Sequence, residues 1–245
     1  MAPSFGSREV GTASRSASTV RAARRASALL CLAAGSAWAG GHLDVDDSGT
    51  LDPGQCQYEA WFGRIGPLPA TRVQHFDAAC RVGPVELGLN IDRLAVPGDH
   101  AWVLGPQLKW TFWGDADSSW SAALSATVSV DVRRSEGRPG GQLLVPITWH
   151  PDPKLWVHAN YGADWSLGSG ARTPRGGLGM EWAFHDRLSL IAERYRASGV
   201  WSSRAGLRYS LTPLISIDLT GSRTADSGQR VRGVVLGLNH EFGRP

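Results

Sequence analysis

The sequence predicts an all-β protein, an antiparallel up-and-down transmembrane β-barrel of about 12 strands, from three observations. First, many segments alternate apolar and polar residues, as in Trp120 to Val132, which reads WSAALSATVSVDV. This period of two puts the apolar and polar sets on opposite faces of a strand. Second, most of these segments are as long as the roughly 9–11 residues with which a tilted strand crosses a bilayer. Third, tight and loose connections alternate along the chain, as in outer-membrane barrels.

The N-terminal residues 1–39 are predicted to be a secretory signal peptide. An arginine-rich stretch is followed by the apolar run ASALLCLAAGSAWA, which ends in Ala37-Trp38-Ala39. This order of basic region, short apolar region and A-x-A site predicts cleavage after Ala39. The apolar run is shorter than the roughly 18–20 residues that a membrane-spanning helix needs. We therefore expect export, with residues 40–53 as a short periplasmic segment and residues 54–245 as the barrel.

The charge balance gives no indication of nucleic-acid binding. The whole chain has a formal net charge of +3, and residues 1–39 hold five Arg and one Glu, or +4. The remainder therefore carries −1, because 3 − 4 = −1. The basic character belongs to the signal peptide, and the rest of the chain has no basic stripe of the kind that binds nucleic acid.

The alternating pattern predicts the following strands in chain order: Gln55–Arg64, Val73–Val82, Val85–Arg93, Trp102–Trp113, Trp120–Val132, Gln142–Trp149, Leu155–Trp165, Gly177–Phe184, Leu188–Ala197, Ser203–Leu211, Ile215–Ser222 and Val231–Phe242. Tight connections are predicted at 83–84, 114–118, 151–153, 185–187 and 212–213. Looser ones are predicted at 65–72, 94–100, 134–141, 167–175 and 223–230. We assign the tight turns to the periplasm and the loose loops to the cell exterior. An even number of strands then returns the C-terminus to the periplasm.

The apolar face of each strand is assigned to lipid and the polar face to the lumen. A soluble β-sandwich would also alternate, but tryptophans near the segment ends favour a barrel with aromatic girdles. The predicted lumen-lining residues are Glu59, Glu86, Asp92, Lys109, Asp131, Arg133, His158, Asp164, Glu181, Arg204, Arg208 and Asp218. Glu193 and Glu241 share this face. Such mixed charge either lines a water-filled pore or pairs up and closes the lumen.

Two cysteines of the predicted mature chain are expected to form a disulfide. Cys56 and Cys80 lie in the first two predicted strands, and their index sum centres the hairpin inside the turn signal Gly66-Pro67-Leu68-Pro69. The alternation puts both on the outward face, as a cross-strand bridge requires. An exported protein with two cysteines commonly oxidises them.

Residues 44–56, DVDDSGTLDPGQC, resemble the first half of a calcium-binding loop. Asp44, Asp46, Ser48 and Gly49 follow that pattern, but position twelve is Gln55 and no helix flanks the loop. We therefore interpret the segment as a polar lead-in with an Asp/Gly turn, and we expect no metal and no cofactor.

The stretch DDSGTLDPGQ at residues 46–55, followed by QYEA at 57–60, resembles the opening of an outer-membrane family. That family is labelled MetA-pathway of phenol degradation and is porin- or transporter-like. The resemblance implies export, a barrel fold, and passage or binding of small compounds, including hydrophobic or aromatic ones. The last strand ends at Phe242 and resembles the signal by which the barrel-assembly machinery recognises its clients.

From these features we expect a passive channel or transporter for small molecules in the bacterial outer membrane. The expected partners are outer-membrane lipid, the assembly machinery and small solutes, with no nucleic acid. The alternative is a non-conducting structural or surface-interaction barrel with a plugged lumen. A barrel enzyme would need a Ser nucleophile beside a His base; the seven histidines are scattered, so we expect no enzymatic activity.

Overall fold

The computed structural model describes residues 43–67, 69–115, 118–133, 140–226 and 229–243. The predicted signal peptide and its cleavage site lie outside these residues. Within the described residues, no helix is long and apolar enough to cross a membrane.

The described chain forms strands only. Their bounds are β1 Gln55–Ile65, β2 Thr71–Val82, β3 Val85–Val96, β4 Asp99–Trp113, β5 Trp120–Asp131, β6 Gly140–Asp152, β7 Leu155–Ser166, β8 Arg172–His185, β9 Leu188–Ala197, β10 Val200–Thr212, β11 Ile215–Asp226 and β12 Gln229–Gly243.

The 12 strands form one closed antiparallel barrel. Each strand pairs with its neighbours in the chain, and β1 closes the sheet by pairing with β12 over Gln55 to Ile65. The predicted fold class is therefore confirmed. Closure leaves no strand edge, and this is the condition under which a sheet can lie in hydrocarbon, where unpaired backbone groups are costly.

The barrel has two distinct ends. We call the end where β1 begins and β12 stops the turn end; its connections are 83–84, 114–119, 153–154, 186–187 and 213–214. The opposite end is the loop end, with connections at 66–70, 97–98, 132–139, 167–171, 198–199 and 227–228. The loose loop predicted at 94–100 is wrong, because β3 and β4 are joined by a two-residue hairpin at 97–98, and the connection at 198–199 is equally short. Gly98 and Gly199 both have a φ of 82°, which tight hairpins require of their central residues.

The outward face is apolar, as the alternation predicted. Phe62 and Leu219 are each 57 % exposed although they lie in the middle of long strands. Aromatic side chains gather near the turn end, where Trp120 and Trp149 stack with ring centroids 5.3 Å apart. An apolar belt with aromatic residues at its margin is the surface of a barrel that is embedded in a bilayer.

The predicted disulfide is present. Cys56 and Cys80 are directly opposed in the register of β1 and β2, and their sulfurs are bonded. The bridge lies at the turn end of β1, the strand that also forms the closing seam with β12.

Removing this bridge is expected to destabilise the barrel. The Cys56→Ser/Cys80→Ser variant should lose about 2–4 kcal/mol of unfolding free energy, because the bridge restricts the unfolded chain. Urea unfolding in detergent micelles, followed by heat-modifiable gel mobility, measures this loss. Wild-type protein treated with reductant is the control and should match the variant; an oxidised wild type that unfolds at the same urea concentration would contradict the prediction.

Candidate functional site in the barrel lumen

The lumen face carries most of the charged residues that the alternation assigned to it. The buried members are Glu59, Glu86, Asp92, Lys109, His158, Arg208 and Asp218, together with Glu193. The half-buried members are Asp131, Asp164, Glu181 and Arg204, together with Glu241.

The predicted lumen position of Arg133 is wrong. It is exposed in the turn that follows β5, and its guanidinium donates to the carbonyl oxygen of His100 at 2.8 Å. β5 ends at Asp131, so the alternation of faces does not extend to Arg133.

The lumen also contains a segment of the chain itself, which we call the plug: residues 43–51. Leu43, Val45, Asp46 and Ser48 are each at most 2 % exposed. The plug precedes β1, so it enters the lumen from the turn end. This placement corrects the interpretation of residues 40–53 as a periplasmic lead-in, as far as residue 43, where the described chain begins.

The first anchor of the plug is Asp44. Its carboxylate accepts from Arg175 at 3.1 Å and from Arg204 at 2.9 Å. The backbone N–H groups of Asp44 and Val45 both donate to one oxygen of Glu193, each at 2.8 Å. Arg204 also lies 3.2 Å from the other Glu193 oxygen. Strands β8, β9 and β10 therefore bind one turn of the plug through a connected set of charges.

The second anchor is Lys109 of β4. Its ammonium donates to Asp46 at 2.9 Å and to Asp47 at 3.0 Å, and the side chain is only 1 % exposed. The oxygens of Asp44 and Asp46 therefore face arginine and lysine side chains, and the absence of a metal site stays a prediction. No group of three or more metal-ligating side chains occurs in the described part of the chain.

The third anchor is a set of hydroxyl contacts around Ser48. Its N–H donates to Thr148 Oγ1 at 2.9 Å, and its carbonyl accepts from Thr111 Oγ1 at 2.6 Å. Its own hydroxyl lies 2.6 Å from Ser121 Oγ. Ser48 thus contacts β4, β5 and β6 together, and it is completely buried.

Apolar contacts of the plug are few. Leu43 packs against Ile191, and Val45 packs with Tyr195 and Ala197. Gly179 makes room for Val45, because a Cβ at Gly179 would lie 3.1 Å from the Val45 Cβ. Of the three apolar side chains in the nine residues, Leu43 and Val45 lie in these apolar clusters and Leu51 does not, so the plug is mainly a polar ligand of its own barrel.

Further ion pairs lie on the lumen wall beside the plug. Arg208 pairs with Asp218 at 2.8 Å and also with Glu181. His75 lies 2.7 Å from Asp92, and its ring stacks on Trp61. Because these charges are buried with partners, they add rigidity to the wall at the cost of desolvation.

Among the described residues, the plug borders two cavities that lie towards the turn end. One of about 330 Å³ is bordered by Leu43 and Asp47 of the plug and by Trp156, His158 and Arg208 of the wall. The other, of about 220 Å³, is bordered by plug residues and by Glu86. Glu86 accepts from the backbone N–H of Leu51 at 2.9 Å, while its other oxygen has no hydrogen-bond partner among the described residues.

The histidines bear on the question of an enzyme site. His158 Nδ1 lies 3.0 Å from Thr148 Oγ1, and this hydroxyl already accepts from the Ser48 backbone. The remaining buried histidine, His75, faces a carboxylate. No hydrogen bond between a serine hydroxyl and a histidine ring is found among the described residues, and the absence of enzymatic activity stays a prediction.

The plug could be recognised only faintly in the sequence. Residues 43–46 alternate apolar and acidic side chains, as Leu43, Asp44, Val45 and Asp46. The same segment also fits an ordinary polar turn, and nothing local pairs it with Arg175, Arg204 or Lys109, which lie 62 to 160 positions away.

These features together define a porin-like outer-membrane barrel fold, and solved structures of that class are similar to this chain. One is the KdgM porin in complex with disordered oligogalacturonate, with a TM-score of 0.60, 8% identity, and coverage of 76% of this chain and 99% of that one. Another is the NanC porin in a rhombohedral crystal form, with a TM-score of 0.60, 10% identity, and coverage of 76% and 100%. At this identity the likeness concerns the fold alone.

The chain belongs to the family described as uncharacterised conserved protein UCP029691, whose model matches residues 28–242. No curated protein matches it. The family description differs from the MetA-pathway label, so that resemblance remains a prediction.

Proposed function

We propose that the protein is an outer-membrane channel for small polar solutes and that the plug closes it at rest. The observation that carries this proposal is the way in which residues 43–51 fill the lumen: through ion pairs and hydrogen bonds, with only Leu43 and Val45 packed against apolar wall. Water can replace such contacts when the plug leaves, at a net cost of about 0.5–1.5 kcal/mol for each neutral hydrogen bond and about 1.5–3 kcal/mol for each bond to a charged group. A plug of this composition can therefore leave the lumen without exposing a large apolar surface.

The outer-membrane location is part of the proposal. It is supported by the apolar outward belt, by the porin-like fold and by the signal peptide predicted at residues 1–39. The last strand pairs Phe242 with Cys56 at the turn end, and we propose that this strand is what the assembly machinery recognises.

The polar lumen narrows the expected substrate. Glu59, Lys109 and Asp218 are buried on the inner wall, and a hydrophobic aromatic compound would have to desolvate such groups. We therefore propose polar or charged solutes in place of the hydrophobic or aromatic compounds that the sequence resemblance implied. We propose no enzymatic activity.

A second candidate is a permanently closed structural barrel. The network that joins Arg208, Asp218 and Glu181 favours it, because these pairs occupy lumen space independently of the plug. In that case the protein would act through surface interactions of its loop end.

Conductance in a planar bilayer distinguishes the two candidates. Wild-type protein should be closed for most of the recording, and a variant lacking residues 43–51 should give discrete, long-lived current steps. A gel-mobility assay must first show that both proteins are folded. A folded deletion variant that passes no current would overturn the channel and favour the structural barrel.

A further inference from the structure

Towards the loop end, the outward face of the strands carries charged side chains of one kind only. At the described outward-facing positions there, the charged residues are Arg64, Arg72, Arg93, Arg172, Arg194, Arg196, Arg223, Arg230 and Arg232. The outward-facing acidic residue of the described strands, Asp152, lies at the opposite, turn end of β6. The other acidic residues of the strands follow the lumen face, as in Glu59, Asp92 and Asp218.

All nine arginines lie near the loop end. Six of them lie on five consecutive strands of the sheet, in the order β11, β12, β1, β2 and β3. We call these six the arginine belt: Arg223, Arg230, Arg232, Arg64, Arg72 and Arg93. Neighbouring strands are about 4.8 Å apart, so the belt spans on the order of 20 Å of the barrel circumference.

The register of the belt opposes like charges. Arg64 is the direct partner of Arg72, and Arg223 is the direct partner of Arg232. Directly opposed side chains have Cβ atoms roughly 4.5–5.5 Å apart, and like charges in that position are destabilising. An anion shared between the guanidinium groups would relieve the repulsion in both pairs.

The described residues do not supply that anion. The belt residue with the most side-chain contacts is Arg93, which donates to the Gln74 amide oxygen at 2.9 Å and lies 5.8 Å from the Trp102 ring centre. Among the residues whose side chains the structure describes, no carboxylate pairs with any of the six, and Arg64, Arg72, Arg223, Arg230 and Arg232 are exposed.

Immediately towards the turn end, the same strands expose apolar side chains. Phe62 follows Arg64 on this face of β1, and Val234 and Leu236 follow Arg232 on β12. Each of these three side chains is at least 50 % exposed. A ligand that fits this surface has anionic groups at the level of the belt and hydrocarbon chains directly below it.

We propose that the arginine belt binds the phosphorylated headgroup of a membrane glycolipid whose acyl chains lie on the apolar face below. Phosphate oxygens match the planar fork of a guanidinium. A belt of this width accommodates a headgroup with more than one phosphate and several chains. The leaflet at the loop end is then the one that contains this lipid. The inference needs a barrel in a bilayer but no conducting lumen.

The test is native mass spectrometry of the refolded full-length protein in detergent, with bisphosphorylated hexa-acyl lipid A as the probe. The wild-type barrel should retain lipid A. The variant Arg64→Gln/Arg72→Gln/Arg223→Gln/Arg232→Gln should bind lipid A with an affinity at least about tenfold lower. The matched control is Lys154→Gln/Arg187→Gln, two exposed cations at the turn end, and it should bind like wild type.

A second measurement does not depend on the folding of any variant. Wild-type protein should prefer bisphosphorylated lipid A over the same lipid with its phosphates removed. Equal binding of the two lipids, or unchanged binding by the folded fourfold variant, would overturn the proposal. A soluble polyphosphate such as inositol hexaphosphate that competes fully at equal concentration would also overturn it, because the site would then not require a lipid.

Discussion

Reversing a single charge in the plug, Asp44→Arg, is expected to open the barrel. In the wild type, the Asp44 carboxylate neutralises the guanidinium groups of Arg175 and Arg204. The variant would place a third cation between them, and breaking a buried ion pair in this way costs about 3–5 kcal/mol. Planar-bilayer recordings should therefore change from mostly closed to mostly open.

The control for this prediction is Asp186→Arg. It makes the same change in net charge at an exposed position in the turn between β8 and β9, so its recordings should match those of the wild type. Channel activity that rises equally in both variants would show that net charge, and not the plug, sets the conductance. A folded Asp44→Arg protein that stays closed would mean that the plug does not depend on this anchor.

The second large effect is expected from Arg208→Met. Arg208 is the shared partner of Asp218 and Glu181, and Asp218 is only 1 % exposed. Removing the cation takes this counter-charge away from a buried carboxylate, so the unfolding free energy should fall by about 3–5 kcal/mol. Urea unfolding in micelles, followed by tryptophan fluorescence, measures the change.

A double variant separates the ion pair from the volume of the side chain. Arg208→Met/Asp218→Leu removes the buried pair and leaves only the half-buried Glu181, so it should recover most of the loss, since apolar replacements of a buried pair are often neutral or stabilising. Arg187→Met, at an exposed turn position, should change stability by no more than about 0.5 kcal/mol. If the double variant is less stable than Arg208→Met, the loss of unfolding free energy in Arg208→Met does not come from the unpaired charge of Asp218.

The barrel could be predicted from the sequence because a strand's pattern is local. Alternation along a segment such as Trp120 to Val132 identifies both the strand and its two faces, and the Cys56–Cys80 register follows from a turn signal between two such strands. The same parity placed Glu86, Lys109 and Asp218 in the lumen. The prediction was wrong where a strand ended sooner than its pattern, at Arg133, and where a predicted loop became a two-residue hairpin, at 97–98.

The plug could not be predicted, because its structure depends on contacts between distant parts of the chain. Asp44 and Arg204 are 160 positions apart, and only the closed barrel brings Arg175, Arg204 and Lys109 towards one short segment. A nine-residue stretch without regular secondary structure has no periodic pattern beyond Leu43 to Asp46 that would mark it as buried. Its three aspartates are equally typical of an exposed turn and of a segment that binds basic side chains, so they do not distinguish the two.

The central claim, that residues 43–51 occupy the lumen, is tested most directly by a disulfide between plug and wall. Ser48 Oγ and Ser121 Oγ are 2.6 Å apart, so Ser48→Cys/Ser121→Cys should cross-link in air. Mass spectrometry without reductant should then find a peptide joining positions 48 and 121. The control Ser48→Cys/Ser203→Cys, whose second position faces outward on β10, should not cross-link. Two free thiols in the folded Ser48→Cys/Ser121→Cys protein would contradict the plug.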